Sequence, residues 1–416
     1  MRDHEAPSRQ AIYYGWWIVV TLAITETFSW GIIYYAFQVF IQPMQADLGW
    51  SLSQLTGAYS AALLISGFVT LPVGIWLDKH GGRWMMTIAS ILATFLLLAW
   101  SVVDTLWGFY VIWVLLGALM AMLFYDPAFV IVTNWFVRRR GFALAIVTFA
   151  AGLASTIFLP LADFLLNQVG WRSAVMILAI VYGCVTIPLH ALVLRRRPQD
   201  MGLLPDGDDT RHQQKHTPIV DKAVTVSDAI RSRTFILLCL GFGLSLLAAN
   251  SIRVHFIPYA ITIGITATTA AWLAGFIGIT QVVGRLIFAP LEARFDARTV
   301  AIITFLVLGI SFVMISLSQQ LAMINGFVLV FGASYGALTL LRPVILADLY
   351  GSAHYGRINS IMSFMMILVM TASPIGTSLF VEAFGSYQPV IYGLTVIAFL
   401  AMIPIMMLPK RKQKFA

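Results

Sequence analysis

Long apolar runs separated by short polar loops dominate the chain from residue 15 to residue 408. Cutting at the loops rich in charge, Pro, Gly and Asn leaves twelve runs: 15–41, 54–77, 84–104, 107–133, 141–164, 172–194, 235–262, 269–291, 299–318, 322–349, 357–382 and 386–408. Each reaches the ~20 residues that cross about 30 Å of hydrocarbon as an α-helix. Lipid offers no partner to a bare backbone group, so an unclosed chain crosses only as helices. The pattern predicts an all-α membrane protein with twelve transmembrane helices. Tyr14, Trp16 and Trp17 flank the first run, which reads as a spanning helix and not a cleaved signal.

The chain is written twice. A shift of 215 positions lays Pro43 on Pro258, Gly49 on Gly264, Arg83 on Arg298, Gly117 on Gly332, Gly141 on Gly356 and Gly170 on Gly385. Residues 1–194 and 234–416 are therefore expected to form two six-helix bundles in the same orientation, joined by a cytoplasmic linker at 195–233. The linker opens RRRPQDMGLLPDGDDTRHQQKHT, which reads as flexible, and closes with VSDAIRSRTF, suited to the membrane surface. Parallel repeats about an axis along the membrane normal suit a rocking transporter with its site where the halves meet.

Composition agrees: 60% of the 416 residues are hydrophobic and 11% charged, too little polar surface to coat a soluble globule. With both termini cytoplasmic, 22 of the 26 Lys and Arg fall on inside segments and only Arg172 outside, the positive-inside pattern of an inner (cell) membrane protein. The net charge of +8 then reflects topology and anionic lipid, not nucleic acid. Cys184 and Cys239 lie within apolar runs with no metal or redox spacing, and no cofactor is implied. Arg253, Arg285 and Arg342 stand inside predicted helices, as do Glu26, Asp126 and His255. A charge at mid-membrane costs about 2.5–3.5 kcal/mol on insertion scales, so each marks a structural pair or a site.

The loop GIWLDKHGGR, Gly74 to Arg83, resembles the signature of the major facilitator superfamily, matching at Gly74, Asp78, Gly81 and Arg83. The resemblance covers essentially the whole chain. It implies the major facilitator fold and a latch in which the acid meets the start of the eleventh span and nearby arginines. An ordinary loop charge is the alternative for Asp78. The second copy, PLEARFDAR, puts Ala293 and Asp296 where Asp78 and Gly81 stand, a weaker latch.

NWFVRRRGFALAIVTFAAG at 134–152 and YYGWW at 13–17 resemble the fifth-span signature and first-span entry of monocarboxylate transporters and the related oxalate:formate antiporters. In that family the arginine about sixteen residues into the eighth span, here Arg285, binds the substrate carboxylate, and Tyr125 falls where a substrate tyrosine stands. A guanidinium keeps its charge and matches a carboxylate with a planar fork; a permanent Arg–acid pair and a merely packed Tyr are the alternatives. Met365 replaces the lysine that gives the oxalate antiporters a second cation, which favours one carboxylate over two. Gln38 and Gln281 replace the lysine and the acid of the animal proton relay.

A proton would still cancel the ~2.3 kcal/mol per 100 mV that opposes a monoanion entering a negative cell. Glu26, Asp126 and His255 are the candidate carriers, against fixed ion-pair partners for the acids and a hydrogen-bonded structural role for His255. FYDPAF in the fourth span is answered by LLRPVI in the tenth, so Asp126 and Arg342 are expected to pair across the cavity as a cytoplasmic gate, with Pro127 and Pro343 bending their helices. The alternative for Arg342 is snorkelling to the headgroups. Asn250 and Arg253, one turn apart, line the outer cavity, or Arg253 snorkels; Phe149 is assigned to an apolar wall.

The sequence thus points to a secondary transporter of small monocarboxylates such as lactate or pyruvate, coupled to a proton, working by alternating access in the bilayer as a monomer. The alternatives are exchange or export of a bulkier organic anion and a non-transporting sensor. An enzyme is disfavoured, since no metal cluster, nucleophile triad or phosphate loop is visible and the linker is too short for a catalytic domain.

Overall fold

A computed structural model describes residues 13–207, 226–317, 320–350 and 355–409. Among them are eleven helical stretches long and apolar enough to cross a membrane, and one, Arg140–Leu192, runs for 53 residues. That one folds back on itself at Gly170, whose φ of 75° no L side chain adopts easily, so it crosses twice. The resulting twelve helices are α1 (Tyr14–Leu48), α2 (Leu52–His80), α3 (Arg83–Ser101), α4 (Leu106–Trp135), α5 (140–169) and α6 (171–192). They continue as α7 (Arg233–Thr262), α8 (Ala267–Arg294), α9 (Ala297–Leu317), α10 (Leu321–Tyr350), α11 (Tyr355–Phe384) and α12 (Gln388–Met406). An even number of crossings puts Tyr13 and Pro409 on one side, the terminal face; the turns at 49–51, 102–105, 170, 263–266 and 385–387 mark the far face.

Boundaries fall where breakers sit, with one exception. The first helix was expected to stop before Pro43 but runs on to Leu48, ending at Gly49 with φ 68°. Its middle widens into a π-helical segment, Ser29–Tyr35, between Tyr14–Phe28 and Phe37–Leu48.

Helix α4 breaks at Phe124, which is extended (φ −94°, ψ −164°), and restarts at Tyr125. Pro127 is the cause: it has no N–H to give the Leu123 carbonyl and its ring crowds it. Helix α10 by contrast is one continuous element through position 343, so the second copy keeps its helix where the first is broken.

The sequence repeat reappears as repeated contacts. A Cβ on Gly117 of α4 would land on the Ala62 carbonyl of α2; 215 positions later, a Cβ on Gly332 of α10 would stand 2.9 Å from the Ile277 carbonyl of α8. Likewise Arg83 donates from Nε to the Ala191 carbonyl at the end of α6 (2.8 Å), and Arg298 from Nη2 to the Met406 carbonyl at the end of α12. Each pair obeys the same chemistry, glycine for close helix crossing and a cation on orphaned C-terminal carbonyls. Arg83 thus serves the end of α6, and Gly81 turns the α2–α3 loop at φ 75°. Gly74 lies inside α2 with open space around it, while the Asp78 and Arg357 side chains lie outside the described residues. The terminal basic residues (Arg2, Arg9, Lys410 to Lys414) and the middle of the linker lie outside them too.

The first part of the linker is tied down where the sequence reads as flexible. Tyr14 donates to the Val193 carbonyl (2.8 Å) and Trp135 to the Arg195 carbonyl (3.2 Å). Asp206, in a left-handed turn at φ 60°, accepts three backbone N–H bonds from the α4–α5 loop: Val137 at 2.9 Å, Arg138 at 2.8 Å and Arg139 at 3.1 Å. Partial burial raises the Asp206 carboxyl, but the three N–H donors and the Arg138 charge outweigh it and hold the group below the usual carboxylate range. A depressed value means the clamp is at full strength above the unfolded-state pKa and is lost as pH falls through the folded one. Asp206→Ala is therefore expected to speed proteolysis of the linker at neutral pH, and acidification of the wild type below the usual carboxylate range to reproduce that loosening.

Candidate functional site

The two halves meet most tightly on the far-face side. Thr56 of α2 and Ser378 of α11 share a hydrogen bond of 2.7 Å, the Ser53 N–H gives one to Glu382 Oε1 (2.7 Å), and the Ile375 N–H gives one to Ser60 (3.3 Å). Across the other seam Thr156 of α5 donates to the Gly275 carbonyl of α8 at 2.7 Å. No comparable seam joins α4 to α10 among the described residues, and Asp126 is exposed there. The halves are thus bridged toward the far face and left apart between α4 and α10 toward the terminal face.

At the head of this opening sits Arg253 of α7. Nη1 donates to Tyr335 of α10 (2.7 Å) and Nη2 to Tyr35 of α1 (2.9 Å), and the rings of Tyr34, Tyr35 and Tyr335 stand 4.9–5.5 Å from the guanidinium carbon. The π segment of α1 brings two consecutive tyrosines to one cation, which hydroxyls and ring faces hold without a carboxylate. Tyr34 donates to Asn250 Oδ1 (3.1 Å), whose Nδ2 donates to Ser373 Oγ (2.7 Å) and the Met370 carbonyl (3.1 Å) of α11. Asn250 is fully buried and spent on these bonds; with Arg253 it closes the seam on which sequence reasoning placed an outer cavity wall.

Arg285 of α8 reaches across the halves. Its Nη1 donates to the Thr148 carbonyl of α5 (3.0 Å), while the buried Nε has no partner among the described residues. No carboxylate lies within ion-pair distance of Arg285 or Arg253 among those residues. Tyr125, the first residue after the break in α4, is in electrostatic range of Arg285, Glu26, Tyr35 and Arg253. Trp30 packs on it at 5.0 Å, stacks on Phe124 at 4.3 Å and donates Nε1–H to Glu26 Oε2 at 3.1 Å. Helix α1 thereby presents an acid and an indole to the same space.

Glu26 is wholly buried, and its Oε1 has no partner among the described residues. Asp126 interacts with both Glu26 and Arg342, and Arg342 donates Nη2 to Ser363 of α11 (3.3 Å), still inside the protein. Phe149, next to the Thr148 that holds Arg285, is 46% exposed. Met365 is exposed, while Gln38 and Gln281 are buried.

His255 stands apart, buried between α7, α11 and α12. Nε2 donates to the Pro374 carbonyl (3.0 Å), so Nδ1 accepts from Tyr387 (3.0 Å). The structure brings together Arg285, Tyr125, Glu26, Asp126 and Arg253, and leaves His255 behind. Tyr34, Tyr35, Tyr335 and Trp30 are candidate-site residues that sequence reasoning missed; three aromatics in WGIIYY, against a helix carrying an arginine, were the available signal.

A sequence profile described as the Major Facilitator Superfamily matches residues 19–256 and 238–415. Among similar proteins, human monocarboxylate transporter 12 is 23% identical over 96% of this chain and 82% of its own length. The oxalate:formate antiporter of Oxalobacter formigenes is 26% identical over 60% of this chain and 57% of its own. A crystal structure of a bacterial homolog to the human lysosomal transporter Spinster, inward-facing and occupied, superposes with a TM-score of 0.76, at 14% identity, over 96% of this chain and 97% of the other.

Proposed function

Because this chain belongs to the major facilitator superfamily and is a multi-pass membrane transporter and not an enzyme, we propose that it carries small monocarboxylates, of the lactate or pyruvate type, together with a proton, by alternating access. Both termini lie in the cytoplasm of a cell whose inner membrane holds the protein, so the opening at the terminal face is cytoplasmic.

The observation that carries this reading is Arg285, a fixed cation at the junction of the halves with a backbone carbonyl for its protein acceptor and no acid in ion-pair reach among the described residues. Its fork suits a carboxylate. Tyr125 completes the cradle as a hydroxyl donor. The names of the similar transporters, a monocarboxylate carrier and an oxalate:formate exchanger, point to the same class of cargo. Asp126 and Arg342 gate the cytoplasmic side: they interact across the opening between α4 and α10, and closing that opening would bring them together. A charge pair made in one state and broken in the other sets the balance between states.

A second reading, exchange or export of a bulkier aromatic anion, has one observation in its favour, the stack of Phe124, Trp30 and Tyr125 beside the site. Proteoliposomes separate the two. Labelled lactate should accumulate when the outside is acidified and should be displaced by pyruvate in preference to benzoate. Displacement by benzoate alone would assign the bulkier class, and no accumulation of either acid would dismiss both.

A further inference from the structure

We propose that Glu26 is the group that takes up and releases the proton accompanying the carboxylate, with Asp126 as its relay to water. The proposal rests on the reading of Arg285 as the anion anchor and adds the residue that makes transport electroneutral.

The first observation is a mismatch. Glu26 is wholly buried in α1, one carboxyl oxygen accepts the Trp30 indole N–H at 3.1 Å, and the other has no partner among the described residues. A carboxylate taken out of water needs donors at both oxygens or a cation beside it. A carboxylic acid carries no charge to compensate: Trp30 supplies the donor to its carbonyl oxygen, and one unpaired hydroxyl costs less than an unpaired carboxylate. Among the described residues, the groups in electrostatic range of Glu26 offer no compensation: Asp126 and Tyr125 from α4 and Tyr182 from α6, with no guanidinium or ammonium interacting with it directly.

The second observation is placement. Tyr125 feels both Glu26 and Arg285, so a carboxylate on the Arg285 fork lies within the field of an ionised Glu26 and is repelled by it. Protonating Glu26 removes the repulsion and leaves the Arg285 charge for the anion. By reciprocity the bound anion favours the proton to the same degree.

Asp126 supplies the route: it is exposed at the open face and interacts with Glu26. The proton passes from water to an Asp126 carboxylate oxygen and then to Glu26 Oε1. Release runs in reverse. Two carboxylates and one mobile proton let Glu26 exchange with water while the bilayer side of α1 stays dry.

The test is proton uptake on binding. Purified wild-type protein titrated with lactate, in buffers of differing ionisation enthalpy, should take up about one proton per lactate, and its affinity should fall about tenfold per pH unit on the alkaline side. Glu26→Gln should bind with no proton uptake and a flat pH profile from 5.5 to 8.5. Glu26→Asp should keep the proton but move the midpoint. Lactate binding to the wild type without proton uptake, or uptake persisting in Glu26→Gln, overturns the Glu26 assignment alone. If Gln at 26 prevents assembly, a Glu26→Asp midpoint identical to the wild type overturns it as well. Failure of the wild type to bind lactate at any pH dismisses the cargo reading, and this proposal with it.

Discussion

Arg285→Ala is expected to lower the initial rate of labelled lactate uptake into proteoliposomes at least a hundredfold, with the purified protein still monodisperse. Truncating one partner of a buried, hydrogen-bonded charge pair costs about 2–5 kcal/mol, and each ~1.4 kcal/mol is a factor of ten. Among the described residues the native guanidinium gives one hydrogen bond, to the Thr148 carbonyl, and has its Nε unused, so the fold depends on it little and an anion depends on it much. Arg285→Lys keeps the charge but not the fork and should recover only part of the rate. A rate within twofold of wild type for Arg285→Ala would move the anchor elsewhere, and Arg253 would be next in line.

The second large effect is expected at the seam. A Cβ on Gly278 of α8 would strike the Ser155 hydroxyl of α5, with Thr156 Oγ1 at 2.7 Å and the Gly152 carbonyl at 2.8 Å. All three obstacles belong to the other half, so Gly278→Val must drive α5 and α8 apart. Overpacking costs about 1–3 kcal/mol, charged to the far-closed state alone, so the population should move to the far-open state by roughly ten- to a hundredfold. Uptake should fall below a tenth of wild type. A reporter is at hand in Thr56 and Ser378, which touch across the far-face seam and should part when it opens. Cysteines at both positions should cross-link readily in an otherwise native chain and poorly beside Gly278→Val. Equal cross-linking in the two would show that the seam absorbs the extra carbons.

The fold was legible because its signals are local and repeated. Helix starts fell within two residues of the expected ones, since lipid demands long apolar runs and positive loops end them. Pro43 misled: a proline inside a helix is tolerated where a neighbouring wide turn and packing re-satisfy the backbone, and no local pattern announces that. Asp206 misled in the opposite sense, because a PDG turn in a charged linker looks free until the α4–α5 loop turns its N–H groups toward it. The site was less legible. Arg285 and Tyr125 could be singled out by resemblance, but Arg253 meets partners 218 and 82 positions away, and which hydroxyls serve a guanidinium is decided by packing between helices. That one Glu26 oxygen has no partner among the described residues is a property of three dimensions only.

The wide turn at Ser29–Tyr35 carries a consequence for motion. An α-helix advances by 100° per residue, so a stretch wound more loosely than that leaves the two arms of α1 out of phase by what amounts to one spare residue. Deleting a single residue there would let the winding become regular while leaving Pro43 and everything beyond it in nearly the same orientation relative to Glu26. The arm holding the acid and the arm holding Pro43 are thus joined by a slack coupling that itself carries the paired tyrosines, and one arm can pivot with little effect on the other.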